Sequence, residues 1–148
     1  MTKELQYTFP SDQRQFGNLY QAIDNLGRQL EMSVEEQFRF AVCISEAYTN
    51  AFLHGNQQDP SKNILIKISW DEQTVRVDIE DEGRATVDQI DVDKASAYAP
   101  AGNTGGRGIG IIKKYADRIK IEQRQEGGIR VSIFWTLTRS STNSVAAG

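Results

Sequence analysis

The chain has 148 residues, of which 39% are hydrophobic and 25% are charged, as is typical of one soluble globular domain. Seventeen basic and twenty acidic residues leave a formal net charge of −3, which gives no electrostatic footprint for duplex nucleic acid. One cysteine, Cys43, and one histidine, His54, exclude an intramolecular disulfide and a cysteine- or histidine-rich metal site. The N-terminus lacks the apolar segment of a signal peptide and no window approaches a membrane span, so we expect a cytoplasmic protein.

The first third of the chain predicts one strand followed by two helices. Residues 3–9 alternate between polar and apolar side chains, which is typical of a strand. Apolar residues at spacings of three and four predict an amphipathic helix over residues 16–30. Ser33 and Glu36 form a capping-box pattern, which predicts a second, buried helix that runs to about His54.

The remainder predicts two hairpins separated by a long segment and a short helix. Two alternating runs, over residues 64–70 and 75–79, predict antiparallel strands joined by a short turn. Residues 83–106 have no apolar period, and a segment of that length is typical of a functional lid. The last elements are a helix from about 107–109 and strands at about 118–123 and 128–137. Helices segregated from a mainly antiparallel sheet predict a layered α+β domain over residues 1–137, with residues 138–148 as a disordered tail.

Polar side chains mark one face of the second predicted helix. Glu46, Asn50 and His54 are four residues apart and therefore share a helical face. Taken alone, the pattern is explained as well by an ordinary structural feature as by a functional site: the feature would be a solvent-facing stripe or a buried asparagine held by backbone groups.

Two glycine-containing loops follow later in the chain. Asp81-Glu82-Gly83 comes directly after a predicted strand, where a carboxylate can accept from a ligand amino group, although an ordinary turn explains this tripeptide better. Residues 105–110, with four glycines in six positions, lead into a helix whose free amides and dipole favour an anion. The alternative for residues 105–110 is a flexible hinge that precedes the helix. Residues 84–104 between the loops suit a lid that closes over a nucleotide.

Together these motifs resemble a known family. In chain order they look like the N, G1 and G2 boxes of the Bergerat-fold ATPases: Glu46-x-x-x-Asn50, Asp81-x-Gly83 and Gly106-x-Gly108. Residues 44–56 are similar to the signature of the small bacterial anti-sigma factors that are also serine/threonine-protein kinases. The resemblance covers residues 5 to about 137. It implies a two-layer sandwich, in which about three helices cover one face of a mainly antiparallel, mixed sheet, with a mobile ATP lid.

The resemblance also implies roles for individual residues. Asn50 would coordinate a Mg²⁺ ion that bridges the phosphates of ATP, and Glu46 would be the general base for the attacking hydroxyl. Asp81 would accept a hydrogen bond from the adenine amine, and Gly83 would make room for the base. The glycine loop would hold the phosphates through Gly106, Arg107, Gly108, Ile109 and Gly110.

Two positions depart from the family pattern. Arg84 and Ala85 follow Gly83, where a second glycine is common, and this stiffens the start of the lid. Ile129 stands where many relatives have a threonine that helps hold a water at adenine, which puts that contact in doubt.

The function implied by the resemblance is that of an ATP-binding anti-sigma factor with serine/threonine-protein kinase activity. Such a protein phosphorylates an anti-sigma-factor antagonist, sequesters a sigma factor, and commonly acts as a homodimer. Two alternatives stay open: an ATP-loaded adaptor that switches partners without phosphoryl transfer, and an ATPase domain with water as acceptor. Glu46 favours the kinase, since a pure binder needs no base one turn from the metal ligand.

Overall fold

One antiparallel sheet and a layer of helices make up the fold. The computed structural model describes residues 2–87 and 108–138. Within these ranges the strands are β1 (Lys3–Pro10), β2 (Asn63–Trp70), β3 (Thr74–Glu80), β4 (Arg118–Gln123) and β5 (Ile129–Thr136). The α-helices are α1 (Phe16–Gln29), α2 (Val34–Asn50) and α3 (Ile109–Tyr115), with a 3-10 turn at Gln13–Gln15 and a π-helical turn at Ala51–Gly55.

The strands lie side by side in the order β1-β2-β3-β5-β4, and all four pairings in the described ranges are antiparallel. Short turns join β2 to β3 and β4 to β5, and a tight connection of this kind forces neighbouring strands to run in opposite directions. The predicted α+β fold with a mainly antiparallel sheet is confirmed. The family resemblance also implies a mixed sheet, with at least one parallel pair of strands. No pair of strands in the described ranges is parallel.

The hydrophobic core lies on one face of the sheet, beneath the helices. Alternate residues of the central strands are buried there, among them Ile66, Val77 and Ile133. Full burial of such a side chain stabilises the fold by roughly 1.5–3 kcal/mol. The opposite face carries exposed polar side chains such as Lys67 and Arg76. This two-sided pattern is what the alternation in the sequence predicts.

Helix α2 begins at the predicted capping box. The Ser33 hydroxyl accepts from the Glu36 N–H at 3.1 Å, and a Glu36 carboxylate oxygen accepts from the Ser33 N–H at 3.0 Å. The helix ends at Asn50 and continues as a π-helical turn to Gly55, close to the predicted end at His54. Single π-helical turns in α-helices occur frequently at functional sites.

The predicted lid and tail fall mostly outside the described residues. Of the lid, only its first residues are described, and the Val87 N–H donates to the Gln123 side chain at 3.2 Å. Of the tail, only Thr138 is described, and its N–H donates to Glu36 Oε2 at 3.0 Å. None of the helices in the described ranges has the length and apolar character needed to cross a membrane.

Candidate functional site

A cleft lies where the end of α2, the end of β3 and the start of α3 meet. The helical side supplies Ala47, Asn50, Ala51 and Gly55, the sheet side supplies Ile79, Asp81, Ala85, Ile129 and Val131, and α3 supplies Ile109. Three residues predicted from separate sequence motifs, Asn50, Asp81 and Ile109, therefore line the same cleft. Its described walls are mostly apolar, and Asn50 and Asp81 are the polar side chains among them.

Asp81 is held in this cleft by one backbone N–H just after β3 and one at the start of β5. Its side chain is buried, with 6% of the residue exposed. The carboxylate oxygen Oδ1 accepts from the Gly83 N–H at 2.9 Å and from the Ile129 N–H at 3.2 Å. The Asp81 N–H in turn donates to the Ile129 carbonyl at 3.1 Å. A carboxylate fixed in this way is an acceptor of defined direction, suited to a ligand amino group.

Glycines allow the backbone to close around Asp81. A Cβ atom at Gly55 would overlap Asp81 Oδ2, and a Cβ atom at Gly128, whose φ is +94°, would overlap the Asp81 carbonyl oxygen. A Cβ atom at Gly83 would overlap the Gly55 carbonyl oxygen. Gly83 therefore serves the packing of two protein segments, and its predicted role of making room for a base stays a prediction.

Glu46 lies beside the end of the glycine loop. Gly108 has a left-handed conformation, with φ +69°, and a Cβ atom there would overlap Glu46 Oε2. The Gly108 carbonyl accepts from the Ile111 and Ile112 N–H groups at 3.1 and 3.2 Å, which starts α3 at this point. Partial burial raises the pKa of the Glu46 carboxyl. A raised pKa suits a carboxylate that takes up a proton near neutral pH.

The glycine loop is only partly described. Gly106 and Arg107 lie outside the described residues, so their predicted contacts with phosphates are outside what the structure describes. Gly108 follows directly, and Ile109 and Gly110 are buried in the first turn of α3.

His54 does not continue the polar stripe that the sequence suggested. The Asn56 N–H donates to the Ala51 carbonyl at 2.7 Å, five residues back, so the π-helical turn breaks the i+4 register. As a result Gly55, and not His54, lines the cleft beside Asn50.

The lining residues fit an adenine nucleotide. Apolar walls beside a buried carboxylate suit a flat base that carries an amino group. Mg²⁺ is usually held by one or two protein oxygens together with phosphates and waters, and the Asn50 amide oxygen suits that donor set. The described residues contain no group of three or more His, Cys, Asp or Glu side chains that could hold a metal ion unaided. A magnesium ion here would therefore depend on the nucleotide.

Two buried polar networks around Asp81 were missed by sequence reasoning. The Asn56 side chain, in a residue only 1% exposed, accepts from the Glu82 N–H at 2.8 Å and donates to the Asn63 carbonyl at 2.9 Å. Arg124 donates through Nη1 to the Asp81 carbonyl and lies beside buried Glu80. Strand alternation places Glu80 on the polar face of the sheet, so nothing in the local pattern indicates its burial.

Comparison with known proteins shows the family of this chain. Residues 9–135 match the family model described as histidine kinase-like ATPase domain. The anti-sigma F factor of Heyndrickxia coagulans is 28% identical over 127 residues, which cover 84% of this chain and 85% of that protein. That of Oceanobacillus iheyensis is 26% identical over 144 residues, 96% of this chain and 98% of the relative. The resemblance drawn from the three motifs is confirmed, and the chain belongs to the histidine kinase-like ATPase domain family.

Proposed function

We propose that this protein is an ATP-dependent serine/threonine-protein kinase that also acts as an anti-sigma factor. It would phosphorylate an anti-sigma-factor antagonist and sequester a sigma factor. The observation that carries the proposal is that Asn50 and Asp81 line one cleft, while Glu46, one helical turn before Asn50, lies against Gly108. The proposed metal ligand and the proposed acceptor for adenine thus come from two motifs to one cleft, and the proposed general base lies one helical turn before the metal ligand, against the glycine of the third motif.

Nucleotide binding depends on Asp81 and Asn50 in this proposal. Asp81 would accept from the exocyclic amine of adenine, because its position is fixed by the N–H groups of Gly83 and Ile129. Asn50 would hold Mg²⁺, which would offset the negative charge of the phosphates. The glycine loop, with Gly108 at its described end, would lie along the phosphates.

Glu46 is the residue that distinguishes the kinase hypothesis from that of an adaptor that only binds the nucleotide. The carboxylate would take the proton of an attacking serine or threonine hydroxyl as that oxygen bonds to the γ-phosphorus and the bond to the leaving ADP breaks. Partial burial raises the pKa of Glu46, which matches a proton acceptor at neutral pH. An adaptor that only binds ATP has no use for a carboxyl group desolvated at this point, so this observation favours transfer.

The proposed partners follow from the relatives, which are named anti-sigma F factors. A sigma factor and a phosphorylated antagonist are the partners we propose for this chain. A homodimeric state and a cytoplasmic location belong to the same proposal and rest on the family resemblance.

Phosphoryl transfer to an anti-sigma-factor antagonist from the same genome tests the proposal. The purified chain is incubated with the antagonist, Mg²⁺ and γ-labelled ATP, and label on serine or threonine is measured. Glu46→Gln should lose transfer by about a hundredfold or more while its ATP affinity stays within a few-fold of the parent. Tight ATP binding by the parent chain without labelling of the antagonist would favour the adaptor.

A further inference from the structure

We propose that Arg124 is a positioning residue for base recognition, which makes the cleft selective for a purine that carries a 6-amino group. The inference rests on the proposed nucleotide site and adds a residue that lies outside the three sequence motifs. Arg124 does not line the cleft; it acts through the backbone of Asp81.

The Arg124 guanidinium joins two chain segments behind the cleft. Nη1 donates to the Asp81 carbonyl and, at 3.1 Å, to the Gly127 carbonyl. The backbone N–H of Arg124 donates to the Gly128 carbonyl at 2.9 Å. One side chain therefore ties the segment after β3 to the turn between β4 and β5. The same turn leads to Ile129, whose N–H holds the Asp81 carboxylate.

Glu80 keeps this guanidinium in place. Only 2% of the Glu80 side chain and 9% of the Arg124 side chain are exposed, and Arg124 Nε lies 3.0 Å from Glu80 Oε1. Lys67 and Arg130 approach the other oxygen, Oε2, at 3.3 and 3.5 Å. Removal of one partner from a buried ion pair leaves an uncompensated charge, which makes separation of Arg124 from Glu80 costly. Glu80 directly precedes Asp81, so Arg124 contacts two consecutive residues: the side chain of Glu80 and the carbonyl oxygen of Asp81.

The identity of the base would be recognised almost entirely through Asp81. Of the described lining residues, Asn50 and Asp81 have polar side chains, and Asn50 is the proposed metal ligand. The Ile129 side chain is apolar, and this residue contributes its N–H to Asp81. Any displacement of the Asp81 backbone would therefore weaken the bond to an amino group and leave the phosphate contacts unchanged.

The planar fork of arginine is what this position requires. The guanidinium spreads its N–H groups and its charge over one plane, so Nη1 can donate to two carbonyl oxygens and Nη2 to Glu126 while the charge lies against Glu80. A lysine ammonium keeps the charge but offers no such arrangement. Arg124→Lys should thus keep most of the ion pair with Glu80 and remove the hydrogen bond to the Asp81 carbonyl.

The experiment compares ATP with purine riboside triphosphate, which lacks the 6-amino group, by calorimetric titration in the presence of Mg²⁺. The parent chain, Arg124→Lys and Arg124→Met are titrated, and thermal unfolding is recorded for each. Arg130→Met is the matched control, because Arg130 also pairs with Glu80 but makes no bond to Asp81. We expect Arg124→Lys to lower the ratio of the two affinities by about tenfold, almost entirely through weaker ATP binding. Arg130→Met should keep the ratio.

An unchanged ratio in folded Arg124→Lys would overturn the inference, as would an equal loss of affinity for both nucleotides, which a merely structural role would produce. If Arg124→Met fails to fold, the ratio of the ATP affinity to the purine riboside triphosphate affinity is measured on Arg124→Lys and Glu80→Gln instead, and a lowered ratio supports the inference. If the parent chain binds neither nucleotide, the proposed nucleotide site is itself refuted and the inference with it. If the parent chain binds ATP more tightly than purine riboside triphosphate, the nucleotide site stands, and the variants then test the role of Arg124 alone.

Discussion

At the scale of single residues, Glu46 combines a half-buried position with an ionisable carboxyl group. Burial raises the pKa of its carboxyl because the charged form loses hydration. A folded-state pKa above the unfolded value stabilises the fold below the unfolded pKa, and this contribution is lost as pH rises through the folded pKa. The ionised carboxylate is thus a cost to folding near neutral pH, as expected of a functional group kept for its chemistry.

Glu46→Gln should therefore raise the unfolding temperature at about pH 8 and have little effect at about pH 4, because only the ionised form is penalised. Thermal unfolding of the parent and the variant at both pH values measures this difference. A stabilisation of equal size at the two pH values would show that charge is not its cause.

Gly108 is the second residue whose local geometry leads to a prediction. Its φ of +69° and the Glu46 carboxylate beside it both oppose a side chain. Gly108→Ala should cost about 1–2 kcal/mol of stability and should also weaken ATP binding, because the start of α3 must move away from Glu46. Gly17→Ala is the control: it lies in α1 with open space around it and should stabilise the chain by about 0.5–1 kcal/mol. Equal, small effects of both changes would refute the packing of Gly108 on Glu46.

The sequence was informative about individual site residues where a motif exposes them. Glu46, Asn50 and Asp81 stand out because each polar residue interrupts or ends an apolar pattern. Arg124 and Glu80 could not be found in this way. Their significance lies in a pairing across strands far apart in the chain, and a charged residue at an alternate strand position is normally exposed.

At the scale of elements, α2 links the core to the site. Its side chains Phe40, Ile44 and Tyr48 are buried, while Asn50 lines the cleft and Glu46 lies against Gly108. Capping signals and apolar spacing predict this helix well. The π-helical turn after Asn50 could not be predicted, because the pattern of residue types does not distinguish it from a further α-helical turn.

Tyr48 tests the packing of this helix against the aromatic cluster of Phe9 and Phe16. Within the described residues its buried hydroxyl has no hydrogen-bond partner, and burial raises its pKa to about 12. Tyr48→Phe removes an unsatisfied polar atom and keeps the ring contacts, so we expect equal stability or a gain of up to about 1 kcal/mol. Urea unfolding measures the difference in the free energy of unfolding between Tyr48→Phe and the parent. A loss above about 1 kcal/mol would show that the hydroxyl makes a hydrogen bond in solution.

Glu36 joins the start of α2 to the chain beyond β5. Partial burial acts to raise the pKa of this carboxyl, but hydrogen bonds from Ser33 and Thr138 outweigh it and lower the pKa. A lowered pKa gives stability that is present above the unfolded pKa and lost as pH falls through the folded pKa. Glu36→Ala should therefore destabilise the chain more near pH 7 than near pH 3, in urea unfolding at both. A penalty that does not depend on pH would contradict the charge-assisted bonds.

At the scale of the whole molecule, the order of elements brings residues of three separated motifs together at one end of the interior strands β3 and β5. Periodicity predicted the strands, helices and α+β class, because each follows from a local alternation of polar and apolar residues. The strand order β1-β2-β3-β5-β4 required the structure, since the pairing of β3 with β5 joins segments on either side of residues 88–107. That pairing brings Ile129 to Asp81 and so completes the end of the cleft.

Calorimetric titration of ATP into the purified chain, with and without Mg²⁺ and repeated on Asn50→Ala, tests the nucleotide site most directly. We predict binding that requires Mg²⁺ for full affinity, and we predict that the magnesium-dependent part is lost in Asn50→Ala while the variant stays folded. Absence of ATP binding under all conditions, or binding by Asn50→Ala with the same magnesium dependence as the parent, would contradict the proposed site.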